Sequence, residues 1–539
     1  MRRPIDIRRF PWIRRLAADY AFDYERLSDF FAGNPASPSA WREALARTSH
    51  MARPRDRVAD IVERQQARRQ TPPEAVRATA RLRDPRTVAV VTGQQAGLFG
   101  GPLFTLLKAL TAIRLAERVT AEHGVPAVPI FWIDAEDHDW DEVKVCGVLD
   151  RDLALRHVAV GDPPGANERP VARVSLDASV SAAVDELERT LQPTEFTDDL
   201  IDRLRGIYQP GAGMVDAFAR WLEAMLGSHG LVVYDAADPA AKPLAAELFA
   251  REIDGAGQTA RLAAEAGAAL EARGYHAQAT PHEASLALFE LDGSRQPIRV
   301  RGDRFVLGER HVSKAELLER VRARPEAFSP NVLLRPLVQD TLFPTVCYVA
   351  GPNELAYLGQ LRRVYEAFGV PMPIVQPRAT ATIVDANAMR FLTRHDLPLE
   401  ALRAQDEAAL NALLEAQLPP NVDRTLDEAR RAVEAQLARV ADEVRPIDPT
   451  LEGAVRSTLG RMEDDLRKLH AKIVQAAKRK DETLRRQYRH AQAQAFPGGQ
   501  PQERAVGSVY FLNKYGPVFI DRLRDELSLD AGMHWVITI

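Results

Sequence analysis

TVAVVTGQQAGLFGGPLFTLLKALTAIRLAE, residues 87–117, and VPIFWIDAEDHDWDE, residues 128–142, together decide the fold. The run Val88 to Val91 reads as a buried strand that breaks into a glycine-bearing loop. The loop opens onto a helix at Pro102. Val128 to Ile133 reads as a second buried strand, with Asp134, Glu136, Asp137, His138 and Asp139 crowded at its C-terminal end. Strand, glycine loop, helix, strand is the opening of a parallel α/β nucleotide-type fold, in which ligands bind beyond the carboxyl ends of the strands. Both the glycine loop and the acidic cluster fall on that rim, so the sequence predicts an enzyme whose site lies between them.

Working outward, Leu231 to Asp235 reads as a third buried strand ending in an acid, followed by a helix over Pro243 to Glu252. Too many residues separate the second and third strands for one crossover helix, which predicts an insertion. Between the two strands lie short alternating segments at Arg156–Val160 and Val171–Leu176, then helical patterning from Ser179 to Gly227. A second insertion begins with an alanine-rich helix, Thr259 to Arg273, and continues as strands at Ser285–Leu291, Ile298–Arg301 and Arg304–Leu307. Glycines punctuate these strands as turns, and a helix from Ser313 to Arg322 closes the patch. The core then resumes with Thr345 to Ala350, a Gly351-Pro352 turn, a helix with Leu355, Leu358, Leu361 and Tyr365 on one side, and a last strand at Pro373–Val375.

The flanks differ in character. Residues 1–86 read as helical, with a surface helix over Arg53–Gln70 and a Thr71-capped start at Pro72-Pro73. Three arginine pairs near the N-terminus read as a solvated helix end. Leu426, Val433, Leu437, Val440 and Val444 form one heptad-like seam. Val455, Leu459, Met462, Leu466, Leu469, Ile473 and Ala476 form another, with Pro446–Pro449 as the corner between them. The pattern predicts an antiparallel helical hairpin whose surplus apolar edge serves a dimer or packs back on its own core. The sequence thus divides into a lead-in at 1–86, core at 87–160, first insertion at 161–228, core at 229–258 and second insertion at 259–334. The last core strands follow at 335–385, the arm at 386–505 and a tail at 506–539 that returns to the core.

Composition excludes several classes. The chain has 539 residues, 46% hydrophobic and 27% charged, with a net charge of −4, which gives no polyanion-binding signature and no nucleic-acid partner. No run reaches the roughly 20 apolar residues of a membrane span. Two cysteines cannot build a disulfide framework or a cysteine zinc site, and a reducing cytoplasm is the expected compartment.

Two clusters carry chemistry. Gly97, Gly100 and Gly101 let a ligand approach the backbone and expose donors at a helix N-terminus, which favours phosphate or carboxylate; Lys108 sits two turns in. The loop is neither G-x-G-x-x-G nor a Walker loop, and a tight packing turn is the competing explanation. Gln94 and Gln95, at the tip of a buried strand, need partners that a ligand can supply. Six carboxylates surround His138 between Asp134 and Glu142; like-charge repulsion there raises some carboxylate pKa values and suits acid/base work or recognition of an ammonium group. Mg2+ is a competing ligand for these acids, a solvated acidic loop is the bland alternative, and no zinc spacing is present. Gly351, Asn353 and Glu354 point to the same rim if the strand before them is central.

The combination of TGQQAGLFGGPLFTLLKA, FWIDAEDHDWDE, GPNELAYLGQL and a C-terminal helical hairpin resembles the cysteine-adding ligase family of bacillithiol biosynthesis, over essentially the whole length. The resemblance implies a Rossmann-type core related to class I aminoacyl-tRNA synthetases, two connecting insertions and a coiled-coil arm that pairs two chains. It also implies amide-bond formation between L-cysteine and glucosaminyl-malate. The synthetase HIGH motif does not map, since Gly97 to Pro102 occupies the equivalent turn without its histidines. Amide formation needs an activated carboxylate, which makes ATP or another nucleotide the expected cosubstrate, through an acyl-adenylate or acyl-phosphate. His138 and Asp137 are the candidate bases, with Glu136 beside them; another acid of the cluster is expected to hold the cysteine ammonium, and Asp134 and Asp139 are candidate substrate- or nucleotide-binding residues. A nucleotidyltransferase of the same fold and a non-catalytic nucleotide-binding scaffold remain as alternatives.

Overall fold

A computed structural model describes residues 2–282, 284–292, 294–416, 420–480 and 482–539. Its centre is a five-stranded parallel sheet: β1 (Val88–Gln94), β2 (Ala127–Ile133), β3 (Val232–Asp235), β4 (Thr345–Ala350) and β5 (Ile374–Pro377), in the order β5-β4-β1-β2-β3. β1 and β2 pair in register from Val88 opposite Ala127 to Gln94 opposite Ile133. These strands are near-continuous apolar runs because both faces are covered, as parallel sheets require. Ala89, Val91, Val128, Ile130 and Trp132 face one core, while Val88 and Val90 face another. Phe131 and Ile133 join a third with Leu106, Leu107 and Leu110 of α1 (Leu103–His123). Each fully buried Val, Leu, Ile or Phe among them contributes roughly 1.5–3 kcal/mol. α1 ends where Gly124 adopts φ +66°, a left-handed cap. The strand order reverses between β1 and β4, so the chain leaves its switch-point crevice at their C-terminal ends.

The structure differs from the sequence reading in three places outside the central sheet. Helices at Arg15–Phe22, Pro38–His50, Arg55–Arg69 and Pro73–Arg81 do form the lead-in, but Arg2–Asp6 is a strand. It pairs antiparallel with Met533–Ile537, which pairs parallel with Thr380–Ile383. One apolar residue, Ile5, buried in that five-residue strand is too short a pattern to reveal a partner at the other end of the chain. Thr71 does not cap the next helix; its hydroxyl donates to Glu223 (2.8 Å) and to the Gln66 carbonyl (3.2 Å). Val171–Leu176 is not a strand but begins as a 3₁₀ turn, Val171–Arg173. Its amides serve the acidic loop instead: Val171 N–H donates to the Asp137 carbonyl (2.8 Å) and Ala172 N–H to that of Ala135 (2.9 Å).

The first excursion from the sheet is a hairpin, Val145–Leu149 with Leu155–Ala159, and helices Ser179–Thr190, Thr197–Ile207 and Met214–Leu226, so it starts before residue 161. The second adds the helix Gln258–Ala272 and a five-stranded antiparallel sheet. Its outer strands, Arg310–Ser313 and Phe328–Pro330, carry no alternation long enough to be read from sequence. Ser313 caps the following helix in a capping box with Glu316. After β4 the helix stops at Leu358 and restarts at Arg362 instead of running through.

A second compact unit spans Val384–Gln500, so the arm ends before residue 505. Its long helices, Pro420–Val444 and Leu451–Lys480, form an antiparallel hairpin in which His470 meets Asp423 at 3.1 Å and Arg445 pairs with Glu452 at the corner. The predicted seams run along it, but Val440, Met462 and Leu469 remain 44%, 45% and 47% exposed, because two helices cannot cover both sides of a seam. Residues from Pro501 belong to the first unit, where Ser508–Tyr515 and Val518–Glu526 are helices.

Candidate active-site cleft at the strand switch point

An open cleft of about 280 Å³ lies beyond the C-terminal ends of β1, β2 and β4. β1 supplies Gly93, Gln94 and the following Gln95; β2 supplies Trp132 and the acids just past it, Asp134 and Asp137; β4 supplies Tyr348, with Glu354 and Tyr357 beyond it. Arg295 and the stretch Pro330 to Val332 from the second insertion complete the lining, with Arg335 at the start of helix α2 (Arg335–Leu342). This is the crevice where open parallel sheets bind ligands.

The β1 tip is held from beneath by Lys108. Its side chain, 2% exposed, donates to the Gly93 carbonyl (2.7 Å) and Gln94 Oε1 (3.0 Å) and pairs with Glu354. Glu354 in turn accepts from the Tyr348 hydroxyl and from the Gly351 N–H, both at 2.7 Å. Burial alone raises a carboxyl pKa, but the Lys108 charge and these donors outweigh it, and Glu354 titrates below its ordinary value. Lys108, Gln94, Gly351 and Glu354 are thus one network. The Gly351 amide caps its helix through Glu354, and Asn353 is exposed and outside the cleft.

The acids of the cluster diverge. Asp134 lines the cleft, half-buried, and its carboxylate takes no hydrogen bond or ion pair from the described residues. Burial pushes its pKa up; Arg335 opposes this and Asp137 reinforces it. Asp137 also lines the cleft, but its oxygens are engaged: Oδ2 accepts from Gln95 Nε2 (2.5 Å) and Oδ1 from the His138 N–H (2.8 Å). Glu136 is buried and turned away, paired with Lys242 and accepting from Ser329 Oγ (3.0 Å), so it anchors the second insertion and is no cleft acid. Asp139 caps the short helix at Trp140 through the Glu142 N–H (3.1 Å). The His138 side chain is 57% exposed, lies 3.5 Å from Asp137 Oδ1 and does not line the cleft. Among the described residues no three His, Cys, Asp or Glu side chains are grouped in a way that could hold a metal ion.

The glycine turn is also displaced from its expected role. Gly97, Gly100 and Gly101 are buried; Gly100 N–H donates to Gly97, Gly101 N–H to Leu98 and Leu103 N–H to Val506. A Cβ on Gly100, whose φ is +93°, would meet Trp221 at 3.0 Å. These donors are spent on packing, and no phosphate cradle is left at this turn.

Sequence reasoning missed Arg295, Arg335, Trp132, Tyr348 and Tyr357. Arg335 is 8% exposed and donates to Gln339 (3.2 Å) and, at 3.4 Å, to the Tyr357 hydroxyl, its guanidinium 6.0 Å from the Trp132 ring and 5.8 Å from that of Tyr348. An arginine inside the apolar run Val332–Val338 was the available signal. Arg295 stacks on Phe289 (4.2 Å) and donates to the Pro330 carbonyl (2.9 Å). The two cysteines are buried, and burial raises both thiols, Cys146 to about 12, so neither serves as a nucleophile near neutral pH. No helix among the described residues is long and apolar enough to cross a membrane.

Comparison with known proteins agrees with this architecture. Residues 4–379 match the family described as "Bacillithiol biosynthesis BshC, N-terminal Rossmann-like domain", and residues 381–539 match "Bacillithiol biosynthesis BshC, C-terminal coiled-coil domain". A protein of Salinibacter ruber named "Putative cysteine ligase BshC" is 34% identical over 533 residues, covering 97% of this chain and 96% of its own. Proteins of the same name from Koribacter versatilis and Bacillus licheniformis are 35% and 30% identical, over 97% and 85% of this chain and 97% and 86% of theirs. With both halves matched and full-length relatives above 30% identity, this chain belongs to the bacillithiol biosynthesis BshC family.

Proposed function

We propose that the switch-point cleft is a ligase site that joins the carboxyl group of L-cysteine to the amino group of glucosaminyl-malate. The observation that carries this reading is Asp134: a carboxylate on the cleft wall, unengaged by donors among the described residues and held toward protonation by burial. An amine attacks only when neutral and sheds a proton as the amide forms; a carboxylate of raised pKa in reach of that nitrogen accepts it. Asp137, already holding Gln95 and the His138 amide, keeps the loop in place and is the weaker base. The base role moves from His138 to Asp134 because, among the described residues, only Asp134 combines a place in the cleft with carboxylate oxygens that take no hydrogen bond or ion pair.

A carboxylate does not condense with an amine in water unless one of its oxygens is first made a leaving group, and ATP is the reagent that supplies this. The spent donors of the glycine turn do not fit a phosphate chain. No residue is therefore assigned to the nucleotide, and its use rests on the chemistry of amide formation. Two buried thiols and a demand for ATP fit a cytoplasmic reaction. The exposed seam residues Val440, Met462 and Leu469 fit pairing of two arms in a homodimer.

The test is incubation of purified protein with L-cysteine and glucosaminyl-malate, with and without ATP, followed by mass spectrometry. The reading expects the cysteinyl amide only with ATP, and one ¹⁸O from carboxyl-labelled cysteine in the released AMP or phosphate. A nucleotidyl adduct of a small acid instead of the amide, or no product under any condition, overturns it.

A further inference from the structure

We propose that Arg335 and Arg295 form the carboxylate-recognition pair of this cleft and select the malate end of the substrate. This rests on the ligase reading and names the part of the substrate each wall recognises. Both guanidiniums line the cleft. Neither is held in a close ion pair by a protein carboxylate, although Asp134 acts electrostatically on both. Among the described residues no carboxylate oxygen lies within 4 Å of Arg335, whose two protein bonds are to neutral groups, at 3.2 and 3.4 Å. Arg295 reaches Asp137 Oδ1 only at 4.0 Å, and its buried Nε has no hydrogen-bond partner among the described residues. The indole N–H of Trp132, on the same wall, is also buried without a partner.

A guanidinium held out of water with no close counter-ion is costly, and a ligand carboxylate that supplies one removes that cost. The geometry points to oxyanions of a planar, forked kind. Arg295 is fixed by stacking on Phe289 and by the Pro330 carbonyl, and Arg335 by Gln339, Tyr357 and the flanking rings of Trp132 and Tyr348. Pre-fixed forks lose little freedom on binding a carboxylate. Two of them on one cleft match the two carboxylates of a malyl group, leaving the sugar amine to lie toward Asp134. A nucleotide phosphate presents similar oxygens, so the shared chemistry is the oxyanion and the experiment separates the two sources.

Binding is measured by calorimetry for wild type, Arg335→Gln, Arg335→Lys and Arg295→Gln. The ligands are glucosaminyl-malate, its dimethyl ester, malate and ATP. Loss of a charge-assisted bond predicts about tenfold or greater weakening of glucosaminyl-malate binding in each Gln variant, with Arg335→Lys intermediate. The dimethyl ester should bind wild type as poorly as glucosaminyl-malate binds the variants, and the variants should no longer distinguish acid from ester. A merely structural role would weaken acid and ester alike, and that result overturns the proposal. So does a loss confined to ATP, which would assign the pair to phosphate. Arginine-dependent binding of malate by a protein that makes no amide product would keep the pair and overturn the ligase reading instead.

Discussion

Lys108→Met removes the cation beneath the β1 tip, and the structure sets the size of the effect. Three acceptors lose a donor at once: the Gly93 carbonyl at 2.7 Å, Gln94 Oε1 at 3.0 Å and the Glu354 carboxylate. Lys108 is 2% exposed, so water cannot replace it there, whereas Glu354 is 20% exposed and keeps the Tyr348 hydroxyl and the Gly351 N–H. Breaking a buried pair by deleting one partner costs about 3–5 kcal/mol. The partial exposure and two remaining donors of Glu354 place this case at the lower end, near 3 kcal/mol. Urea unfolding at pH 7.5 of wild type, Lys108→Met, Glu354→Gln and the double variant measures it. The double variant should cost less than the sum of the singles by about 1.5 kcal/mol or more, since both act on one contact. A loss below about 1 kcal/mol in Lys108→Met, or strict additivity, would refute the claim that this pair holds the cleft rim.

Glu223 lies buried 2.9 Å from Arg69, and burial, only partly opposed by Arg69 and Thr71, raises its pKa from 4.5 to about 7. A raised acid binds its proton more tightly when folded, so its contribution is full below pH 4.5 and declines as pH rises to about 7. The decline is on the order of 3 kcal/mol. Glu223→Gln should flatten the stability profile across that window; parallel profiles for variant and wild type would contradict the assignment. His138→Ala should leave the rate of amide formation within about threefold, while Glu136→Gln, which disturbs the Lys242 anchor, should lower stability by about 3 kcal/mol. A hundredfold loss of rate in His138→Ala would return the base to that residue. Met462→Lys with Leu469→Lys should convert a dimer to monomer by light scattering, with unchanged helix content; a dimer that persists would move the interface off the seam.

The core strands were legible because parallel strands buried on both faces leave unbroken apolar runs, as in Val88–Val91 and Thr345–Ala350. The heptad seams were legible for the same reason of periodicity. The strand Arg2–Asp6 was not, since its partner is far along the chain and its length hides any alternation. Gln94, Gln95, Asp134, Asp137 and Glu354 were singled out from their place at strand ends, and the structure brings them to the wall of one cleft. The glycines were misassigned because spacing does not reveal that Val506, from the C-terminal segment, takes the Leu103 amide, or that Trp221 fills the space at Gly100. Glu136 and Asp139 were misassigned because consecutive acids past a strand fan out in different directions. Arg295 and Arg335 reach the cleft from an insertion and from a helix after it, a convergence that only the tertiary fold creates.

The central claim is that the switch-point cleft performs the ligation with Asp134 as its base. It is tested most directly by the rate of cysteinyl-amide formation in wild type and Asp134→Asn, at matched circular dichroism and with cysteine, glucosaminyl-malate and ATP saturating. The account predicts product from wild type and a rate about 10²- to 10⁴-fold lower from Asp134→Asn. Equal rates from the two proteins would contradict it.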